Sequence, residues 1–453
     1  MPNNLEQALS NLPDKGKETT VGQNFIPELC KALGFNPSTE VYPQFSTGIG
    51  NEAVDFALRH NTDSSDIFLH TPNNPKILIE IKGRDTNLAE TTAQYRNTVT
   101  QLKRYLLSPN STTVEWGIIT NSNHIQLFRK HSKVIHPATQ NLEINPDNIT
   151  KIVKQIKQKI TSPPTALTVT IYNNKGGVGK TTTTINLAAT LTLQNKRVLV
   201  VDLDPNQRDL TNSLKLTPKP NQQTLYSLLE DKKDLISIDN VIQTYSIEFK
   251  TLKKTFNFDI IPCDLELGNK NEQELLKNLK IPRLKQILDK IKTNYDYILI
   301  DSSPNWRYFS VSALTAAEVV LIPTKHNNLF SLNNAAITIK HYIPKIQQLK
   351  KDGTPIALPI FWNGEKTTPP AKEAAQKAID HIIKQAKNDP QPYDLLPYFY
   401  PHYTTSTKNR EIFEIPGYAN IANATFTQIP AVYKDKIANQ YYLDLAKEYF
   451  LHP

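Results

Sequence analysis

Cysteine is almost missing from this chain: 453 residues hold two, Cys30 and Cys263, each in an apolar context and in different halves. No disulfide framework or cysteine-rich metal cluster can be built from them, and both are expected as reduced core thiols of a cytoplasmic protein. No apolar run approaches the ~20 residues of a membrane-spanning helix, and there is no low-complexity tract or repeat of fixed period. The opening "MPNNLEQALSNLPDKGKETT" lacks the basic-then-apolar order of a secretory leader, and the closing "AKEYFLHP" lacks a basic amphipathic tail. Membrane attachment is therefore not expected.

Hydrophobic residues at 39% and charged residues at 21% suit a folded chain, and the length asks for two or more domains. The net charge is +9, with 17 Lys/Arg against 15 Asp/Glu in residues 1–160 and 35 against 28 beyond them. The excess lies C-terminal, which suits a polyanion partner or an ordinary solvated basic surface.

The pattern changes near Thr161. "NPDNITKIVKQIKQKI" places Ile149, Ile152, Val153, Ile156 and Ile160 on one helical stripe, with Lys151, Lys154 and Lys157 facing away and Asp147 or Asn148 as N-cap. "TSPPTA" follows, and its paired prolines stop the helix and stiffen a linker. The expected organisation is a domain over 1–160, a linker over 161–166 and a second domain over 167–453.

The second domain alternates strand, loop and helix. "LTVTIY" leads through "NNKGGVGKTTTT" into "INLAATLTLQ", and "KRVLVVDLD", "YDYILIDSS", "AEVVLIPT" and "PIALPIFW" read as strands buried on both faces. That predicts an α/β fold with a doubly wound, mostly parallel sheet. The loop fits G-x-x-x-x-G-K-[ST] except at its first position, where Asn174 stands. Lys175, Gly176, Gly177, Val178, Gly179, Lys180, Thr181 and Thr182 are the candidate nucleotide-binding residues. Backbone N–H groups would surround the phosphates, Lys180 would neutralise the outer oxygens, and the Thr181 hydroxyl would bind Mg2+. ATP and Mg2+ are the expected cofactors.

K-G-G-V-G-K-T-T resembles the deviant Walker A motif of ParA/MinD-family ATPases, and the likeness runs from Leu167 to Asn334. "VLVVDLDPNQRDLTNSL" looks like that family's switch I, and "YDYILIDSSPNW" looks like its Walker B and switch II. The resemblance implies that Lys175 reaches the phosphates of a partner in an ATP-bound homodimer, that Asp204 positions the attacking water, and that Asp301 holds the magnesium-bound water. Asp204 before a proline could also simply cap a turn. "SSPNW" stands where the family more often has D-x-P-P, leaving Ser302 and Ser303 without an assigned role. The resemblance also implies nonspecific DNA binding and a stimulating partner protein. Lys366, Lys372, Lys377, Lys384, Lys387, Lys408 and Arg410 are candidate DNA contacts, with a solvated surface as the alternative.

In the first domain "TVGQNFIPELCKALGF" reads as one amphipathic helix, "EAVDFALRH" as a strand with Asp55, and "KILIEIKGR" as a strand with Glu80 and Lys82. Residues two apart share a strand face, so Glu80 and Lys82 converge, and Asp55 on a neighbouring strand would complete a divalent-metal site. D-x24-E-x-K in this setting resembles the PD-(D/E)xK restriction-endonuclease-like fold, in particular the N-terminal domain of type I restriction motor subunits. There the resemblance implies Glu18, or Glu28, as a first-helix acid, and Gln101 with Tyr105 as a supporting motif. "VEWGIITNSNHIQLF" fits the strand pair that follows, and Val54 stands where the motif's proline would. The alternative is a surface ion pair on an inactive DNA-binding module.

The leading expectation is an ATP-dependent dimerising ATPase, cytoplasmic and associated with nucleoid or plasmid, that positions or partitions DNA or another large cargo. An ATP-gated, Mg-dependent DNA endonuclease in genome defence or plasmid control is the second, and a pure binding scaffold is the third.

Overall fold

The computed structural model describes residues 4–63, 65–216, 223–231, 233–249, 253–365 and 368–452. Lys366 lies outside them. Residues 1–163 make one compact unit, and 164–350 with 354–451 make another.

In the first unit an antiparallel meander, Val41–Ser46, Ala53–Leu58 and Ile77–Ile81, is followed by the helix Ala93–Leu106. That helix crosses to Trp116–Thr120, which pairs parallel to Ile77–Ile81, and His124–His131 and Val134–Pro137 extend the sheet antiparallel. Alternation divides the sheet between two cores. Ile77, Ile79 and Ile81 face helices carrying Leu5, Val21, Leu29 and Ile156, while Leu78 meets Leu102 and Leu106 of the crossover helix.

Two expectations for this unit change. The single helix over "TVGQNFIPELCKALGF" is two, Glu18–Asn24 and Ile26–Leu33, broken at Phe25. Pro27 has no N–H to give a helix begun earlier and fits instead in the first turn of a new one. The helix Ile149–Thr161 buries the expected stripe, but Asn148 at its N-cap makes no capping bond. Its amide instead donates to the Glu143 carbonyl at 3.1 Å, and its oxygen accepts from Asn145 N–H at 2.9 Å.

The second unit is built on a seven-stranded sheet ordered Gln243–Phe249, Lys254–Ile261, Val198–Leu203, Tyr297–Ser302, Leu167–Ile171, Val319–Leu321 and Ile356–Ala357. All neighbours are parallel except the first pair. Val198–Leu203 and Tyr297–Ser302 are buried along their whole length, the reason their sequences are apolar up to Asp202 and Asp301. The helix Lys180–Leu193 is buried over most of its surface, packed on the sheet and on the C-terminal helix Lys436–Tyr449. It therefore shows almost no amphipathic period, and its run of threonines faces protein.

Two expected strands are each split. "AEVVLIPT" leaves the large sheet after Leu321, and Pro323–Thr324 joins a separate small sheet. "PIALPIFW" contributes Ile356–Ala357 to the large sheet and Phe361–Glu365 to the small one, where Glu414–Pro416 pairs with it in parallel. Pro323 and Pro359 cannot donate to a ladder, so each strand ends in the large sheet where its proline falls.

Candidate functional site

The carboxyl ends of Leu167–Ile171, Val198–Leu203 and Tyr297–Ser302 lie side by side, with Asp301 in register with Asp202 on one side and Ile171 on the other. From Ile171 the chain turns through the glycine loop into the helix Lys180–Leu193. Gly177 at φ 73° and Gly179 at φ 82° take left-handed conformations that a residue with a Cβ resists, and Gly179 serves as the helix N-cap without a side-chain cap. The first N–H groups of the helix are thus left facing the loop, where an anion is favoured.

Beneath the loop the Thr181 hydroxyl donates to Asp301 Oδ2 at 2.6 Å. Asp301 is buried, its Oδ1 has no hydrogen-bond partner among the described residues, and its carboxyl is pushed up to about 8, first by burial and then by the Asp202 charge. The Lys180 ammonium is buried and donates to the Lys175 carbonyl at 3.3 Å. Burial lowers its pKa while Asp301 and Asp204 act in the opposite direction. Asp204 is buried, with Oδ1 unpartnered among the described residues, and burial raises its pKa against the pull of Lys180.

Two bare carboxylate oxygens beside a hydroxyl and one ammonium form a site short of positive charge, and a hard divalent cation fits it. Thr181 and Asp301 are the residues that would hold it. Asp202 is otherwise engaged: Oδ2 accepts from Thr211 N–H at 2.9 Å and from its hydroxyl at 2.6 Å, and Oδ1 accepts from Asp204 N–H at 3.2 Å. Asp202 therefore shapes the turn that presents Asp204. Lys175 is half-buried, and among the described residues its ammonium has no hydrogen-bond or ion-pair partner.

Sequence reasoning missed Asn363. It is buried on the small sheet, and its amide nitrogen lies 2.9 Å from the Val178 carbonyl, 3.3 Å from that of Gly179 and 3.1 Å from the Thr183 hydroxyl. A Cβ added at Gly179 would collide with it. A cavity of about 230 Å3 opens beside the loop between Gly177, Thr182, Asn363, Pro416, Tyr418 and Ile421. No local pattern marks Asn363, because it comes to the loop only when the strand after Pro359 joins the small sheet.

Asn174, the departure at the loop's first position, bonds to Asn334 at 3.3 Å and to the Tyr342 hydroxyl at 3.4 Å. Tyr342 stacks on Trp306 of the segment after Asp301, rings 3.9 Å apart and 14° from parallel. Ser302, left without a role, ties its strand to the Ile171 carbonyl at 2.9 Å.

In the first unit Glu80 is buried, and Lys82, just past the strand end, contacts its Oε1. Glu80 Oε2 has no hydrogen-bond partner among the described residues, and its carboxyl is pushed up to about 7 by burial, then by Asp55. Asp55 Oδ2 accepts from Ile81 N–H at 2.8 Å, and Glu18 lies 4.0 Å from the Lys82 ammonium. Glu28 instead pairs with Lys31 at 2.6 Å. Gln101 donates to the Tyr105 hydroxyl at 2.8 Å, and Tyr105 packs in the core under the crossover helix. Neither bonds to the acids. Among the described residues no three His, Cys, Asp or Glu side chains are grouped so as to hold a metal.

Of the basic candidates, Lys377 pairs with Glu373 at 2.7 Å and Arg410 with Asp380 at 2.6 Å. Lys372, Lys384 and Lys387 on the helix Pro369–Lys387 are exposed without ion pairs among the described residues. Both cysteines are free and buried, and burial pushes the Cys30 thiol up to about 12. No helix among the described residues is long and apolar enough to cross a membrane.

A protein-family profile described as "AAA domain" matches residues 166–354. The sporulation initiation inhibitor protein Soj of Bacillus subtilis is 40% identical over 158 residues, 35% of this chain and 57% of Soj. The chromosome partitioning protein ParA of Caulobacter vibrioides is 34% identical over 155 residues, 34% of this chain and 54% of that protein. The chain thus spans somewhat more than half the length of these curated relatives. Among solved structures, an ATP complex of Cyanothece McdA superposes with a TM-score of 0.48 at 22% identity, covering 63% of this chain and 96% of the other. The glycine loop and its two lysines thus lie in a segment, residues 166–354, that matches the AAA-domain profile and is similar to Soj and to ParA.

Proposed function

We propose that the protein is an ATPase that dimerises on ATP and uses that cycle to position or partition DNA or another large cargo, its first unit contacting DNA. The observation that carries this is the pair of lysines. Lys180 is buried within its own loop, whereas Lys175 stands half-buried and unpaired among the described residues, as a residue meant for a second molecule's phosphates would.

Mg2+ would neutralise phosphate charge and order the attacking water. The chain's own residues account for the rest. The loop N–H groups and Lys180 bind and orient the phosphates, Thr181 and Asp301 hold the cation, and Asp204 orients the water. Lys175 of a neighbouring copy adds positive charge where negative charge develops during transfer. The relatives' names refer to chromosome partitioning, which supports the cargo class.

In the test, Lys180→Ala abolishes ATP binding, while Lys175→Ala binds ATP normally and loses turnover that rises with protein concentration. Unchanged turnover in Lys175→Ala removes the trans role.

A second reading is favoured by the buried Glu80 oxygen that lacks a partner beside Asp55 and Lys82. The meander, crossover helix and parallel strand around it are consistent with a restriction-endonuclease-like fold. In this reading ATP-driven pairing gates Mg-dependent DNA cleavage. Plasmid nicking with Mg2+ or Mn2+, stopped by Glu80→Ala, would carry it; no nicking with or without ATP leaves partition alone.

A further inference from the structure

Arg208 takes a left-handed backbone conformation, φ 51° and ψ 28°, in the turn between Asp204 and the short helix Asp209–Ser213. Glycine or asparagine is the ordinary choice for such a position, and a long side chain is not. The bonds around it account for the exception. Arg208 N–H donates to the Asp204 carbonyl at 2.8 Å, and Arg208 Nε donates to the Cys263 carbonyl at 3.0 Å, just past the end of Lys254–Ile261. Cys263 N–H in turn donates to the Thr211 hydroxyl at 3.0 Å. That hydroxyl donates to Asp202 Oδ2 at 2.6 Å, and Asp202 Oδ1 accepts from Asp204 N–H at 3.2 Å.

The bonds form a closed circuit that leaves from the Asp204 carbonyl and returns to the Asp204 N–H. Asp202, Thr211 and Cys263 are fully buried, where water does not compete for these bonds. The Asp204 carboxylate also accepts from the backbone N–H groups of Gln207 and Asn206, and its Oδ1 is left without a hydrogen-bond partner among the described residues. Capping the turn uses Asn206 and Gln207 alone. The circuit adds a tie from the turn to the end of a neighbouring strand.

We propose that Arg208 and Thr211 are positioning residues for hydrolysis: they fix the Asp204 backbone to the end of Lys254–Ile261, so that the bare carboxylate oxygen meets the attacking water in one orientation. This rests on the reading above in which Asp204 orients that water. Neither residue lies in the glycine loop or among the cation holders, so their loss spares nucleotide binding and falls on the chemical step. Arg208→Gly separates this role from simple backbone accommodation. Glycine accepts φ 51° without strain, so a residue needed only for the turn would be replaced by it at no cost.

The test uses the full chain and measures MgATPγS affinity by calorimetry, thermal melting, and single-turnover phosphate release at saturating MgATP. Arg208→Gly and Thr211→Val are expected to bind MgATPγS within about twofold of wild type while phosphate release falls about 10- to 100-fold, the cost of a misplaced catalytic group. Thr211→Ser keeps the hydroxyl and is expected to restore release to within about threefold of wild type. Adding Arg208→Gly to Asp204→Asn is expected to cause no further loss, because both act on one step. Wild-type release by Arg208→Gly, equal losses in Thr211→Val and Thr211→Ser, or a loss carried entirely by affinity overturns the proposal. Where Thr211→Val fails to fold, Arg208→Gly decides alone, since glycine suits that backbone. Normal release by Asp204→Asn refutes the role of Asp204 in the ATPase reading; an inactive Asp204→Asn beside a normal Arg208→Gly refutes the positioning only.

Discussion

Replacing Asn363 with alanine removes a side chain that the small sheet sends into the glycine loop's backbone. Three acceptors surround its amide nitrogen at 2.9–3.3 Å, and its two hydrogens satisfy two of them at a time. Each buried acceptor left bare costs about 1–3 kcal/mol, less what water recovers through the adjoining cavity. With one acceptor fully lost, the loop's closed form is weakened by about 1–3 kcal/mol, which corresponds to about 5- to 150-fold in nucleotide affinity. Calorimetry of ATPγS with Mg2+ on Asn363→Ala measures this directly. Asn363→Asp is expected to do worse, because a carboxylate would face two carbonyls. Gly179→Ala is expected to fail in the same assay, since its Cβ would occupy the place of the amide. If Asn363→Ala binds nucleotide within about twofold of wild type, the amide does not hold the loop and the reasoning is refuted.

Asp301→Asn removes a buried charge whose Oδ1 is bare, so without metal the variant is expected to melt no lower than wild type, yet Mg2+ should no longer tighten ATP binding; preserved Mg2+ dependence in nucleotide titrations would argue against Asp301 as a cation holder. Lys130, buried with its ammonium 2.6 Å from the Ser111 carbonyl, has its pKa lowered by burial to about 8. The unfolded chain then holds the extra proton between about pH 8 and the ordinary value of 10.5, so stability rises with pH across that window. Hydrogen exchange of Trp116–Thr120 and His124–His131 should slow accordingly, after correction for intrinsic rates, and Lys130→Met should abolish that pH dependence; an identical slope in the variant assigns the effect elsewhere. Pro27→Ala restores an N–H within the first turn of Ile26–Leu33 without fusing the two helices, because Phe25 is packed in the core where they meet. Thermal melting within about 1 kcal/mol of wild type is expected, and a larger gain would mean that the proline itself strains the break.

Much of the second unit is local in origin and could be read from the chain. Strands buried on both faces have no polar period to keep, so Val198–Leu203 and Tyr297–Ser302 appear as apolar runs leading to Asp204 and Asp301. The glycine loop is equally local, because left-handed turns and a helix start demand particular residues in sequence. In the first unit the strand period brings Glu80 and Lys82 together, as two residues on one face must be.

Other features depend on where distant segments meet. That Asp202 is tied up by Thr211 while Asp204 and Asp301 keep bare oxygens follows from the fold of the turn between them, because all three aspartates end strands in the same way. That Glu18 rather than Glu28 approaches Lys82 depends on which turn of a broken helix faces the sheet. The prolines at 323 and 359 were visible, but only packing could show that the strands resume in a second sheet and deliver Asn363 to the loop. The sequence by itself determined the elements and the chemistry of the phosphate loop, because both rest on residues close in the chain. Tertiary structure decided which acids are free and what supports the loop, because burial and pairing are set by whichever segments the fold brings alongside.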